Sequence, residues 1–112
     1  MRRIYFIYII LIHISIATSQ RVVGYYPQWV QGSFTPDKID YSVITHVIHS
    51  FAWPDEQGNI LHYDNMLSQS VSNTVHDNGA KILLCFGGWG QSWGFSASMS
   101  TPELREIFID NI

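Results

Sequence analysis

Lys81-Ile82-Leu83-Leu84-Cys85-Phe86-Gly87-Gly88-Trp89 is the stretch whose reading decides the fold. After Lys81 the side chains are apolar without alternation, and the run ends at a glycine pair and an indole. A strand buried on both faces of a parallel sheet reads this way. The Gly-rich continuation, Gly87-Gly88-Trp89-Gly90-Gln91-Ser92-Trp93-Gly94, lets backbone approach a ligand closely. It lacks the Lys-Ser/Thr ending of a phosphate loop.

Working outward, two earlier segments share the strand pattern: Arg21 to Tyr26 and Val43 to Phe51. Thr35-Pro36-Asp37 sets a hydroxyl before a proline and an acid, the start of a short helical turn. From Asn65 to His76, Met66, Leu67, Val71 and Val75 recur at helical spacing, and Gly79 follows where a left-handed terminator is wanted. Thr101-Pro102-Glu103 repeats the start pattern, and Leu104, Ile107, Phe108 and Ile112 make the stripe of a last helix that is expected to run on past the given residues. The order β-α-β-α-β-α predicts an α/β fold with a parallel sheet.

The 46% of hydrophobic residues against 13% charged is a globular balance, so the chain is expected to fold rather than stay disordered. Met1-Arg2-Arg3 followed by the apolar run Ile4 to Ile16, with small residues at Ala17 and Ser19, predicts a secretory signal over residues 1–19, cleaved after Ser19. The run is shorter than the roughly 20 apolar residues a bilayer span requires, which argues against a permanent anchor. Residues 20–112 then form the mature chain, secreted and without membrane attachment. Its basic residues are Arg21, Lys38, Lys81 and Arg105 against nine acids, a net −5 that excludes a nucleic-acid partner. The single cysteine, Cys85, admits no internal disulfide and is expected as a small buried hydrophobe; with no histidine nearby in sequence it is not read as a catalytic thiol.

Aromatic residues gather where the strands end: Tyr25, Tyr26 and Trp29, then Phe51 and Trp53, then Phe86, Trp89, Trp93 and Phe95. In a (β/α) barrel the site lies at the carboxyl ends of the strands, so these rings are expected to converge on one mouth. Flat rings contact the C–H faces of a sugar, and indole N–H and phenol O–H groups bond its polar rim. For Phe51 and Phe86, simple filling of the core is an equal alternative.

Three motifs in order, Val23-Gly24-Tyr25-Tyr26-Pro27-Gln28-Trp29, Thr45-His46-Val47-Ile48-His49-Ser50-Phe51 and Lys81 to Trp89, resemble the first three strands of the family-18 glycoside hydrolases, the chitinases and chitinase-like proteins. The resemblance implies the first three βα units of a (β/α)8 TIM barrel, ending before strand 4. It implies chitin or another N-acetylglucosamine oligosaccharide as partner, with Tyr25 and Phe51 lining the subsite of the reacting sugar. Trp89 would stack on a neighbouring sugar, and Trp29 would border the cleft. Gly87 and Gly88 would act as backbone spacers. Cys85 stands where the family usually has a serine that organises its acids, which favours a non-catalytic, chitin-binding lectin as the alternative.

The family's reaction is substrate-assisted: a glutamic acid protonates the leaving oxygen while the substrate's acetamido oxygen attacks the anomeric carbon. Those acids belong to an Asp-x-x-Asp-x-Asp-x-Glu motif that does not occur between Met1 and Ile112, so no catalytic residue is assigned and the motif is expected beyond Ile112. Asp37, Asp40, Glu103 and Glu106 read as helix-start carboxylates, and Asp55, Glu56, Asp64 and Asp77 as solvated loop residues. His46 and His49 point to opposite faces of a strand, and His62 and His76 lack partners at metal spacing. No cofactor or metal is expected, and the oligomeric state is left open.

Overall fold

The computed structural model describes residues 20–112; the expected signal, residues 1–19, lies outside the described residues. Strand β1 (Val23–Pro27) leads through 3-10 turns at Gln28–Val30 and Pro36–Lys38 to β2 (His46–Pro54). Then come β3 (Ile60–His62), helix α1 (Gln69–Asp77), β4 (Lys81–Phe86), α2 (Phe95–Ser98) and α3 (Pro102–Asp110). β1 and β4 both run parallel to β2, with Tyr25 opposite Ile48 and Ile48 opposite Leu83. The parallel ladder thus follows the expected strands: β1 and β2 are displaced by one to three residues from the sequence boundaries, and β4 keeps the expected Lys81 to Phe86.

Strand β3 was not expected. It pairs antiparallel with the end of β2, so the sheet is mixed rather than parallel throughout. Its cause is local. Asp55 accepts from the backbone N–H groups of Gln57 (2.9 Å) and Asn59 (2.8 Å) and from Asn59 Nδ2 (2.8 Å), while Gly58 takes φ +83°. The Asn59 side chain above all, with these N–H groups, holds the Asp55 carboxyl below its usual range. The residue read as a solvated loop acid therefore organises a hairpin turn. Ala52 pairs with His62 on one edge and Phe86 on the other, so β3 extends the β1 edge of β2 beyond the end of β1.

One face of the sheet closes on α1 around Tyr26, Val47, Val71, Val75 and Ala80, with Ile82 packed against them. Val71 and Val75 stand one turn apart and form the buried seam of α1. Helix α1 starts at Gln69, later than the Asn65 start read from spacing. Asn65 sits at φ +60° and Ser68 is extended, so Met66 fills the core from the loop rather than from the helix. Gly79, at φ +77°, ends the helix as expected.

Thr101 caps α3, its Oγ1 accepting from Leu104 N–H at 3.2 Å. The Glu103 carboxyl is held below its usual range by its own backbone N–H and by the Thr101 hydroxyl. Asn111 follows as the helix's C-cap, and its side-chain amide donates to the Gly58 carbonyl at 3.0 Å, seating α3 on the hairpin turn. Of the expected apolar stripe Phe108 is buried and Leu104 partly so, while Ile107 and Ile112 are exposed.

Strand β4 departs from the expectation that both its faces are covered. Leu83 and Leu84 are 48% and 36% exposed and Cys85 is only partly buried, and among the described residues β4 pairs with β2 alone. Cys85 lies opposite Ser50 in the ladder.

Candidate functional site

The site is built at the carboxyl ends of β1, β2 and β4, and one irregularity shapes it. Between Ser50 and Ala52 the register of β2 against β4 shifts, and Phe51 has no partner in the ladder. A bulge of this kind re-aims a side chain. The Phe51 ring turns to the mouth, where Tyr25 lies 6.4 Å away between centroids and Trp29 stacks at 6.1 Å with 30° between planes. Tyr25 and Trp29 remain 67% and 59% exposed. They form an open aromatic wall; Tyr25 also lines a concavity of about 390 Å³ together with Phe34, Ile39 and Ile44, and a second concavity of about 280 Å³ is lined by residues that include His49 and Met66.

Glycine is required at Gly88 for a reason visible in the packing. Its φ is +108°, and a β-carbon there would stand 3.1 Å from the Phe51 ring. Gly87, at φ +92°, similarly faces Ser92 and the Phe95 ring at 3.3 and 3.4 Å. Gly87 N–H donates to Ala52 O at 2.7 Å, tying the loop to β2. Trp89 projects from this loop fully exposed. It joins none of the ring pairs of the wall.

Tyr63, directly after β3, is a member of the wall that sequence reasoning missed. It stands edge-on to Trp29 (6.2 Å, 85°) and to Trp53 (5.2 Å, 63°), and its hydroxyl accepts from Gln91 Nε2 at 3.2 Å. The available sign was the two-residue spacing of Leu61 and Tyr63 after the Asp55–Asn59 turn, which marks a hairpin carrying an aromatic residue back toward the mouth. Two other expected members leave the mouth. Phe86 and Phe95 each meet Phe108 edge-on at 6.0 Å and so pack beneath α3. Phe108, the buried residue of α3, needs apolar partners, and Phe86 at the end of β4 and Phe95 at the start of α2 supply them.

Among the titratable groups of the described residues, His49 and Tyr26 are drawn inward. His49 is 4% exposed, beside Tyr26 at 5.6 Å, and its Nε2 accepts from Gln31 Nε2 at 2.7 Å, so the ring is neutral. Burial pushes its pKa below the usual histidine range. Burial likewise raises Tyr26, whose hydroxyl donates to Phe34 O at 2.8 Å. Among the described residues no cluster of three or more His, Cys, Asp or Glu side chains is arranged to hold a metal ion, and no helix is long and apolar enough to cross a membrane.

The sequence model of the glycosyl hydrolases family 18 matches residues 21–112. The chain belongs to that family. A curated relative, a chitinase-like effector of Moniliophthora roreri, is 34% identical over 91 residues, covering 80% of this chain and 22% of the relative. The crystal structure of a chitinase from Rhizomucor miehei superposes with TM-score 0.71 at 26% identity, over 82% of this chain and 28% of that one. That of the Ostrinia furnacalis Group IV chitinase in complex with allosamidin gives 0.67 at 28% identity, over 80% and 27%. The family-18 chain thus spans less than a third of the length of these relatives, and its mixed α/β sheet corresponds to part of their fold.

Proposed function

We propose that this family-18 chain forms part of the sugar-binding wall of a secreted glycoside hydrolase acting on chitin or related β-1,4-linked N-acetylglucosamine polymers. The observation that carries the reading is the continuous row of Tyr25, Phe51 and Trp29 at the strand ends, in which the exposed Tyr25 and Trp29 flank a half-buried Phe51 seated on Gly88 of the loop that presents Trp89. Exposed rings on a rigid sheet offer flat apolar platforms to pyranose faces at little conformational cost. Tyr25 and Phe51 line the subsite of the reacting sugar, Trp29 borders the cleft, and Trp89 stacks on a neighbour.

In this reading the reaction is the family's substrate-assisted, retaining hydrolysis. Its acid comes from sequence after Ile112, since the motif is absent from Met1 to Ile112. Calorimetric titration with N-acetylglucosamine pentamer and with a cello-oligomer of equal length tests the binding role. Binding of the first and not the second is expected; no heat with either would overturn it. Release of reducing sugar by this chain alone would overturn the division between wall and acid.

A second reading is a chitinase-like lectin, and Cys85 favours it, because a thiol replaces the hydroxyl that the family places beneath its acids. The relative described as a chitinase-like effector agrees with that direction. The two separate in the protein carrying the acidic motif: Cys85→Ser raises turnover if the thiol limits catalysis, and leaves it at zero if the protein only binds.

A further inference from the structure

The Gly-rich loop after β4 rests on the molecule at a point on either side of Trp89. Before the indole, Gly88 lies on the Phe51 ring, too close for a side chain to intervene. After it, Gln91 Nε2 donates to the Tyr63 hydroxyl across 28 residues of sequence, and Gln91 N–H closes a turn onto Gly88 O at 3.1 Å. Gly90, at φ +74° with nothing within 4 Å of a β-carbon placed on it, gives the segment no side-chain restraint of its own. Tyr63 in turn is fixed between the Trp29 and Trp53 rings, which lie on other elements. One phenol therefore joins three strand-end segments: the turn after β1, the hairpin of β2 and β3, and the loop after β4.

We propose that Tyr63 is a positioning residue for the sugar-binding wall. Its ring sets the plane of Trp29, and its hydroxyl, through Gln91, holds the Trp89 loop at a fixed offset from that plane. The proposal rests on the carbohydrate-binding reading given above. A ligand long enough to touch both indoles gains from the tether, because the loop's freedom is already lost before binding. A ligand touching one of them gains little. Tyr63 thus acts on preference for ligand length rather than on contact with the reacting sugar.

Tyr63→Phe keeps the ring and removes the acceptor, and Gln91→Leu removes the donor. Amide hydrogen exchange is measured at Trp89 to Ser92, alongside titration with N-acetylglucosamine pentamer and dimer. Each single variant is expected to speed exchange in that loop, leave exchange in α1 and β2 unchanged, and weaken the pentamer roughly threefold to tenfold with the dimer unaffected. The double variant should add nothing further, since both changes cut one bond. Unchanged loop exchange in Tyr63→Phe, additive losses in the double variant, or equal weakening of pentamer and dimer overturns the proposal. Absence of pentamer binding by the unaltered chain removes the carbohydrate reading and, with it, the role in ligand length; loop exchange then still decides whether the tether exists.

Discussion

Tyr25 and Tyr26 are neighbours of the same residue type, and they belong to two regions built on opposite principles. Tyr26 is 3% exposed, with its hydroxyl bonded to Phe34 O, and packs with Val47, Val71 and Val75 where α1 meets the sheet. Tyr25 is 67% exposed and lies at the mouth beside Phe51. Strand geometry sends successive side chains to opposite faces, so one register decision assigns one tyrosine to the core and the other to the wall. Burial holds the fold together at α1; exposure leaves the mouth free to bind. The same chemistry, aromatic and aliphatic surface, serves stability in one region and, in the function proposed above, recognition in the other.

The contrast is sharpest where a large side chain is removed from each region. Met66→Ala, at a site with no exposed surface, is expected to lower stability by about 2–5 kcal/mol, read from chemical denaturation. Trp89→Ala removes a larger side chain, yet should change stability by no more than about 0.5 kcal/mol while weakening N-acetylglucosamine pentamer about tenfold. Equal destabilisation by the two substitutions would erase the distinction between core and wall.

Gly88→Ala probes the line along which the regions meet. The residue would carry a β-carbon at φ +108° against the Phe51 ring, a strain of about 1–3 kcal/mol. Loss of stability together with loss of pentamer binding is expected, and retention of both would mean that the loop does not rest on Phe51.

The tyrosine pair itself gives a smaller difference. Tyr26→Phe removes the hydroxyl bonded to Phe34 O and should cost about 0.5–1.5 kcal/mol, whereas Tyr25→Phe should be neutral within error in the same denaturation experiment. The smallest effect is the pH dependence set by His49. Its pKa in the folded chain lies below the usual histidine value, so the unfolded chain binds its proton more readily. The stability that His49 contributes is complete above the ordinary histidine range and declines as the pH falls through and below it. Apparent melting temperature should drop between about pH 7.5 and about pH 5, and His49→Gln should flatten that slope.

Much of the fold was legible because it depends on local rules. The apolar runs around Val47 and Ile82, the Thr101-Pro102 start and the Gly79 stop each express a preference of a few adjacent residues. Part of the wall was legible for the same reason, since Tyr25, Trp29 and Phe51 stand at strand ends in the sequence itself. The β2–β3 hairpin was not legible, because Asp55 looks like any polar loop acid until Asn59 and Gln57 are seen to fold back onto it. Nor was the division of the aromatic residues. Phe86 and Phe95 share the positions and chemistry of the wall, but the choice between mouth and core depended on where Phe108 of α3 came to rest.

What the amino-acid sequence determined by itself is the alternation of strands and helices, the family and the set of rings available at the strand ends, all properties of short-range pattern. Tertiary structure alone decided which rings remain exposed, that Leu83 and Leu84 are not covered, and that Tyr63 meets Trp29, Trp53 and Gln91. The reason is physical: burial and ring geometry are set by partners far away in the chain, and no local preference specifies a distance between segments 28 residues apart.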